Sequence, residues 1–393
     1  MKKFGLLPRL VVGLIVGILL GNFGGASIVK IFATFNGIFG NFLGFVIPLI
    51  IIGFVAPGIG DLGKSAGKLL GITTVIAYLS TIVSGSLAYF VNSAILPKII
   101  NSSIQLADSS NPEDALLPAL FKIEMPPIMG VMTALLIAFI LGIGIAVSNG
   151  DTIKKFMSEF QNIVEKLIGN IIIPLLPLHI AGIFANMTYA GRIVTIMSVF
   201  SKVFLIIIIL HIVIIVVQFF IAGTFSGGNP FRMIRTMVPA YLTAIGTQSS
   251  AATIPVTLAQ TKKNGVSDGI ADFAVPLCAT IHLSGSTITL TSCSMAVMVL
   301  HNMPMETGTM FGFILMLGVT MVAAPGVPGG AVMAALGLLN SMLGFSSDLQ
   351  SLMIALYLAQ DSFGTACNVT GDGAIAVIVN KIAGYKLKKP ENV

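Results

Sequence analysis

Apolar stretches of about 20 residues, the length that crosses a bilayer as a helix, recur from one end of the chain to the other, parted by short polar or Gly/Pro-containing breaks. Residues 10–20 form the first, 31–55 the second, 69–96 the third and 128–147 the fourth. The pattern predicts a loop at 22–30, a break in the second span at Pro48, and an end to that span at Pro57. A fifth helix, amphipathic at first, runs to Met187 with a kink expected at Pro174 and Pro177. Residues 193–222 make the sixth span, with His211 and Gln218 near its end and His211 read as a core residue rather than a ligand. Residues 101–127 are polar and read as an extramembrane loop, with Asp108, Glu113, Asp114 and Glu124 against Lys122.

After Gly227 the pattern changes. An apolar stretch within 231–263 is interrupted by Thr247, Gln248, Ser249 and Ser250, with Arg232 and Arg235 at one end and Lys262 and Lys263 at the other. Basic residues at both ends place both on one side of the membrane, which predicts a re-entrant hairpin with a serine-rich tip. Such a tip offers free backbone amides to a carboxylate. The span at 273–300 is interrupted over 280–287, where Gly285 among polar residues predicts unwound backbone with free carbonyls, the ligands of a small hard cation. Residues 312–343 are broken by Pro325, Gly326, Pro328, Gly329 and Gly330, a second hairpin, and 350–382 form the last helix. The prediction is an all-α membrane protein with eight transmembrane helices plus two re-entrant helical hairpins entering from opposite sides. That inverted repeat is the arrangement that surrounds a transporter's binding site at the bilayer midplane.

Composition agrees: of 393 residues, 55% are hydrophobic and 9% charged, which excludes a soluble domain on a single anchor. The net charge of +6 lies mostly in loops and at the termini. Lys64, Lys68, Lys154, Lys155, Arg232, Arg235 and the lysines after Lys381 fall on one side when the spans are counted, so a multi-pass protein of the cell (plasma or inner) membrane with both termini cytoplasmic is expected. Membrane lipid is then a partner and nucleic acid is not. The first segment reads as a retained helix, not a cleaved signal. Cys278, Cys293 and Cys367 lie in apolar segments and read as packed thiols. Scattered histidines and the lack of a nucleophile beside a base argue against an enzyme.

The candidate chemistry lies on the last helix. Asp361, Thr365, Asn368 and Asp372 are spaced by four, three and four residues and share one helix face across three turns. A carboxylate at bilayer depth costs about 2.5 to 3.5 kcal/mol, so two on one stripe call for a cation, a ligand or a water-filled cavity. The plain alternative is a polar cluster that packs helices. Ser80 and Ser84 on the third span share a face, and either bond back to their own helix or meet a neighbour or a cation.

Four motifs in this order carry a resemblance over nearly the whole chain: Gln248-Ser-Ser-Ala-Ala-Thr-Ile-Pro-Val-Thr257, Pro276-Leu-Cys-Ala-Thr-Ile281, Gly326-Val-Pro-Gly329 and Asn368-Val-Thr-Gly-Asp372. The chain resembles the dicarboxylate/amino acid:cation symporters, the glutamate transporter homologues, which are built on such inverted repeats. The resemblance implies a homotrimer working as an elevator. Residues 1–66 and 126–188 (helices 1, 2, 4 and 5) would form the scaffold and trimerisation domain. Residues 67–100 and 191–393 would form the transport domain: helices 3 and 6, hairpin 1 at about 230–263, helix 7 at about 267–301, hairpin 2 at about 306–345 and helix 8 at about 347–384. It further implies that Ser250 binds a substrate carboxylate and Asp361 its amino group, with Ser249, Ser286, Val327, Gly330, Gly364, Thr365 and Asn368 around them, and that residues 325–331 gate the site. Sodium would be held by Asp372, Asn368 and backbone near Cys278 and His282. A second sodium would lie by Thr280, Met321, Val322 and Ala324, and a third at the position of Ser284. No organic cofactor is implied.

Two departures set the chain apart. Acidic-substrate members carry an arginine where Gly364 stands, so a substrate carboxylate here would lack its bidentate partner, and the glycine leaves volume for a neutral side chain. The family's Asn-Met-Asp-Gly-Thr reads His282-Leu283-Ser284-Gly285-Ser286, so the third sodium site is either lost or given its charge by a protonated His282. The resulting expectation is sodium-driven import of a small neutral amino acid such as serine, threonine or alanine. A proton-coupled or sodium-poor carrier of a dicarboxylate or other organic solute, and an ion channel, stand as alternatives.

Overall fold

The computed structural model describes residues 6–61, 67–104, 116–148, 151–191, 193–322, 324 and 329–384, and every regular element among them is a helix. In order they are α1 (Leu6–Phe23), α2 (Gly25–Asp61), α3 (Gly67–Ile104), α4 (Val131–Val147), α5 (Asp151–Leu167), a π turn (Ile168–Ile172), α6 (Ile173–Tyr189), α7 (Ile193–Ser226), α8 (Pro230–Thr247), α9 (Ser250–Lys263), α10 (Asp268–Ile281), α11 (Ser284–Leu300), α12 (Thr307–Met321), α13 (Gly330–Leu343) and α14 (Ser347–Ile382). Six helical stretches among the described residues are long and apolar enough to cross a membrane: Gly25–Gly53, Leu69–Ile100, Asp151–Tyr189, Met197–Ser226, Asp268–Leu300 and Ser347–Ile382. The chain is a multi-pass membrane protein.

The structure departs from the sequence pattern in four places. Residues 22–30 are no loop, because α1 reaches Phe23 and α2 begins at Gly25, whose φ of +71° makes the turn in one step. Helix α2 runs unbroken through Pro48 and Pro57 to Asp61. Opening it would leave backbone groups bare in lipid, which costs more than one missing N–H. The irregularity expected at Pro174 and Pro177 sits just before them, in the π turn. The break in the seventh span is only His282 and Leu283, since α11 resumes at Ser284.

Helix α1 lies along α6 in backbone contact. Gly13, Gly17 and Gly21 recur every fourth residue, and a Cβ on any of them would strike the carbonyl of Pro177, Ala181 or Ala185. Small residues at this spacing let membrane helices approach closely where hydrophobic burial supplies no drive. Helix α2 packs on α4, α5 and α6. Helix α14 is enclosed by α3, α7, α8, α9, α10, α11 and α13, which keeps its polar stripe from lipid. Helix α7, by contrast, turns Leu205, Ile209 and Ile212 outward.

Candidate functional site

The site is built where two interrupted segments end against the middle of α14. In the first hairpin, α8 ends at Gln248 with φ +52°, and Ser249 Oγ caps α9 by accepting from Ala252 N at 3.2 Å. Gln248 Nε2 donates to Ser362 Oγ at 2.9 Å, which fixes this tip beside Asp361. Ser250 opens α9 and is buried. In the second hairpin, Gly329 has φ +75° and Gly330 opens α13. The Gly329 N–H donates to Asp361 Oδ2 at 2.7 Å. Val327 and the rest of the tip, 323 and 325–328, lie outside the described residues, as do Lys64, Asp108, Glu113, Asp114 and the lysines from Lys386 on.

The broken span between α10 and α11 meets α14 at Asn368. Its Oδ1 accepts from Gly285 N at 2.7 Å and Ser286 N at 3.3 Å, and its Nδ2 donates to Ser286 Oγ at 3.0 Å. Two backbone donors at Oδ1 fix the orientation of this amide. Tyr357, one turn before Asp361, has its hydroxyl 2.9 Å from the same Ser286 Oγ and also bonds the Asp361 carboxylate, as does Thr365. Behind them His211 Nε2 donates to Gly285 O at 3.0 Å, with Thr289 Oγ1 3.2 Å away. Gly364 is buried against α11: a Cβ there would meet Ser286 N and Thr289 Oγ1 at 3.6 Å. A methyl group would sit there in ordinary contact. Thr365 is buried one turn beyond Asp361.

A second cluster surrounds Asp372. His282 Nδ1 donates to Asp372 Oδ1 at 2.9 Å, while Nε2 lies 3.1 Å from Ser80 Oγ. Gln218 Nε2 donates to Ser80 Oγ at 2.9 Å and to Ser284 Oγ at 3.3 Å. With a neutral ring every one of these contacts is a proper donor–acceptor pair, Ser80 O–H giving to Nε2. The hydroxyls Thr81 and Ser84 bond back to their own helix, at Ala77 O and Ser80 O. Asp372 Oδ2 and Gln218 Oε1 are buried without a partner. Cys278 is buried beside this cluster with its carbonyl accepting from His282 N at 2.8 Å, and all three cysteines are buried free thiols. Thr280 stands apart. It is exposed, with Oγ1 bonded to Leu277 O at 2.7 Å. Met321 ends α12, Val322 follows half-buried, and Ala324 is buried with its N–H on Met321 O.

His282→Ala strips Asp372 of its one bonded neighbour. We expect a loss of about 1 to 3 kcal/mol of stability, the cost of leaving a buried polar group unpaired, read as a lower thermal midpoint in detergent, with His282→Asn in between.

A sequence profile of the sodium:dicarboxylate symporter family matches residues 6–382. The chain belongs to this family. Serine/threonine transporters SstT of Acinetobacter baumannii, from strains AYE, AB307-0294 and AB0057, are each 25% identical over 391 residues, covering 94% of this chain and 95% of their own. The protein is a membrane transporter and no enzyme. Three further residues border the candidate site. His211, expected as a core residue, and Gln218 stand seven residues apart on one face of an otherwise apolar α7. Tyr357 extends the stripe of α14 by one turn, and an aromatic residue in an apolar run gives no signal of such a place.

Proposed function

We propose that this symporter imports a small neutral amino acid, of the serine, threonine or alanine kind, together with sodium. The observation that carries the reading is the charge inventory of the interior. Among the described residues the buried charged side chains are Asp361 and Asp372, with no buried lysine or arginine. A substrate ammonium has Asp361 to meet. A substrate side-chain carboxylate would be buried without a cation, at prohibitive cost. The Acinetobacter relatives are serine/threonine transporters by name, which agrees with a hydroxylated neutral cargo.

In this reading the eight spanning helices and two hairpins form a homotrimer of elevators. Helices α1, α2, α4, α5 and α6 would be the scaffold, and α3 with α7 to α14 the moving part. Ser249 and Ser250 take the substrate carboxylate, and Ser286, Gly330, Thr365 and Asn368 close the pocket under the gate at Val327. Sodium, as co-transported cargo, suits Asp372, whose Oδ2 is buried without a partner while its Oδ1 bonds His282 at the end of α10. The position of Ser284 fits a cation poorly. It carries no charge, and the His282 ring already bonds the adjoining carboxylate. A second ion by Thr280, Met321, Val322 and Ala324 is carried over from the family resemblance.

Purified protein in liposomes under an inward sodium gradient should accumulate serine or alanine, and choline in place of sodium should abolish the uptake. Aspartate uptake of equal strength would overturn the assignment of cargo.

A further inference from the structure

The buried amide of Gln218 joins α7 to three other elements at one point. Its Nε2 donates to Ser80 Oγ on α3 at 2.9 Å and to Ser284 Oγ at the start of α11 at 3.3 Å, and lies 3.4 Å from His282 Nε2 in the break between α10 and α11. Ser80 gives its own proton to His282 Nε2, 3.1 Å away, and Ser284 also bonds the Cys367 thiol, so each hydroxyl keeps a lone pair for the amide. Among the described residues Oε1, at the other end of the amide, has no partner, and it rests against α14 at Gly371, where a Cβ would come within 2.6 Å of it. A reversed amide would set two unpaired hydrogens there in place of one bare oxygen and would draw away the proton that Ser80 gives His282, so the donor end belongs in the cluster.

Without the amide, two hydroxyl oxygens and a ring nitrogen would converge on one point, next to the Asp372 carboxylate that His282 bonds at 2.9 Å. Oxygens gathered beside a carboxylate are what a small hard cation takes as ligands. Here the hydrogens of a neutral side chain take them instead. We propose that the Gln218 amide is a resident plug in the seat of a coupling cation beside Asp372, so that this one residue sets how many sodium ions travel with each substrate. This rests on the sodium-symport reading above and sharpens it: Asp372 Oδ2 keeps its ion, and the position of Ser284 takes none because Gln218 satisfies it already. A carboxylate of the same length reverses the arrangement, since Gln218→Glu sets an anion against the oxygens that the amide hydrogens had met, and a bound sodium ion then holds the cluster together.

The test is the flux ratio, labelled sodium against labelled serine in initial uptake by liposomes holding the parent, Gln218→Glu or Gln218→Leu. The parent should carry no more sodium per serine than the ions assigned to Asp372 and to the position by Thr280. Gln218→Glu should carry about one sodium ion more, the single countercharge that a buried carboxylate calls for, and its thermal midpoint in detergent should rise further than the parent's when sodium replaces choline. Gln218→Leu, which removes the donors at similar volume and adds no charge, should keep the parent's ratio. A Gln218→Glu carrier with the parent's ratio and the parent's response to sodium would overturn the plug, as would a raised ratio in Gln218→Leu. A parent that moves more sodium than those two positions hold would overturn it as well, a measurement that needs no variant to fold. Serine uptake by the parent that ignores sodium would instead overturn the symport reading on which this one stands.

Discussion

Asp361→Asn should abolish concentrative uptake and weaken amino acid binding about 100-fold while the protein folds as before. The carboxylate is buried and accepts the Gly329 N–H at 2.7 Å. An asparagine Oδ1 accepts the same bond, so the contact between hairpin and helix survives. In the proposed reading the substrate ammonium loses its only charged partner among the described residues, and a hydrogen bond to a charged group is worth about 1.5 to 3 kcal/mol. Isothermal titration with the parent substrate reads the affinity, and size-exclusion elution with an unchanged thermal midpoint reports the fold. Retained uptake would show that the amine is held elsewhere.

The second large effect is steric. A Cβ on Gly285 would collide with the carbonyl of Gly364 and come within 2.6 Å of Cys367 Cβ. The backbones of α11 and α14 touch here, and neither side can yield by rotating a side chain. Gly285→Ala should therefore cost about 3 kcal/mol, the upper range for overpacking a filled interior. The result would be a clearly lower thermal midpoint and little uptake. Gly364→Ala is the internal control. Its new methyl group meets Ser286 N and Thr289 Oγ1 at 3.6 Å, an ordinary contact, so the fold should hold. Equal stability of the two variants would mean that the helices are not so closely set.

The legibility of the chain followed the physics of each feature. The spans were plain because lipid leaves no choice about where 20 apolar residues go, and the break between α8 and α9 was visible as a polar run inside an apolar stretch. The ends of α1 and α2 were not. Glycine and proline mark breaks in water, but in a bilayer the unsatisfied backbone costs more than the strain they impose, so α2 continues past Pro48 and Pro57. The stripe Asp361, Thr365, Asn368, Asp372 could be read from spacing alone. What each member faces could not, since the partners come from the break between α10 and α11, from α11 and from the residue before α13, up to 90 residues away in the case of His282 and Asp372. Gly13, Gly17 and Gly21 carried a readable signal for the contact with α6 that the hydrophobic pattern concealed, because glycine breaks no apolar run.

The bond from Gly329 to Asp361 has a kinetic meaning. If Asp361 takes the substrate ammonium as proposed, the hairpin N–H competes for the same carboxylate. Substrate would then displace a tethered occupant, and its apparent affinity would be the intrinsic one reduced by the fraction of time the occupant is away. A residue that loosens Gly329 from Asp361 would thus tighten substrate binding while making the closed, unloaded carrier less common, trading affinity against leak through one backbone amide.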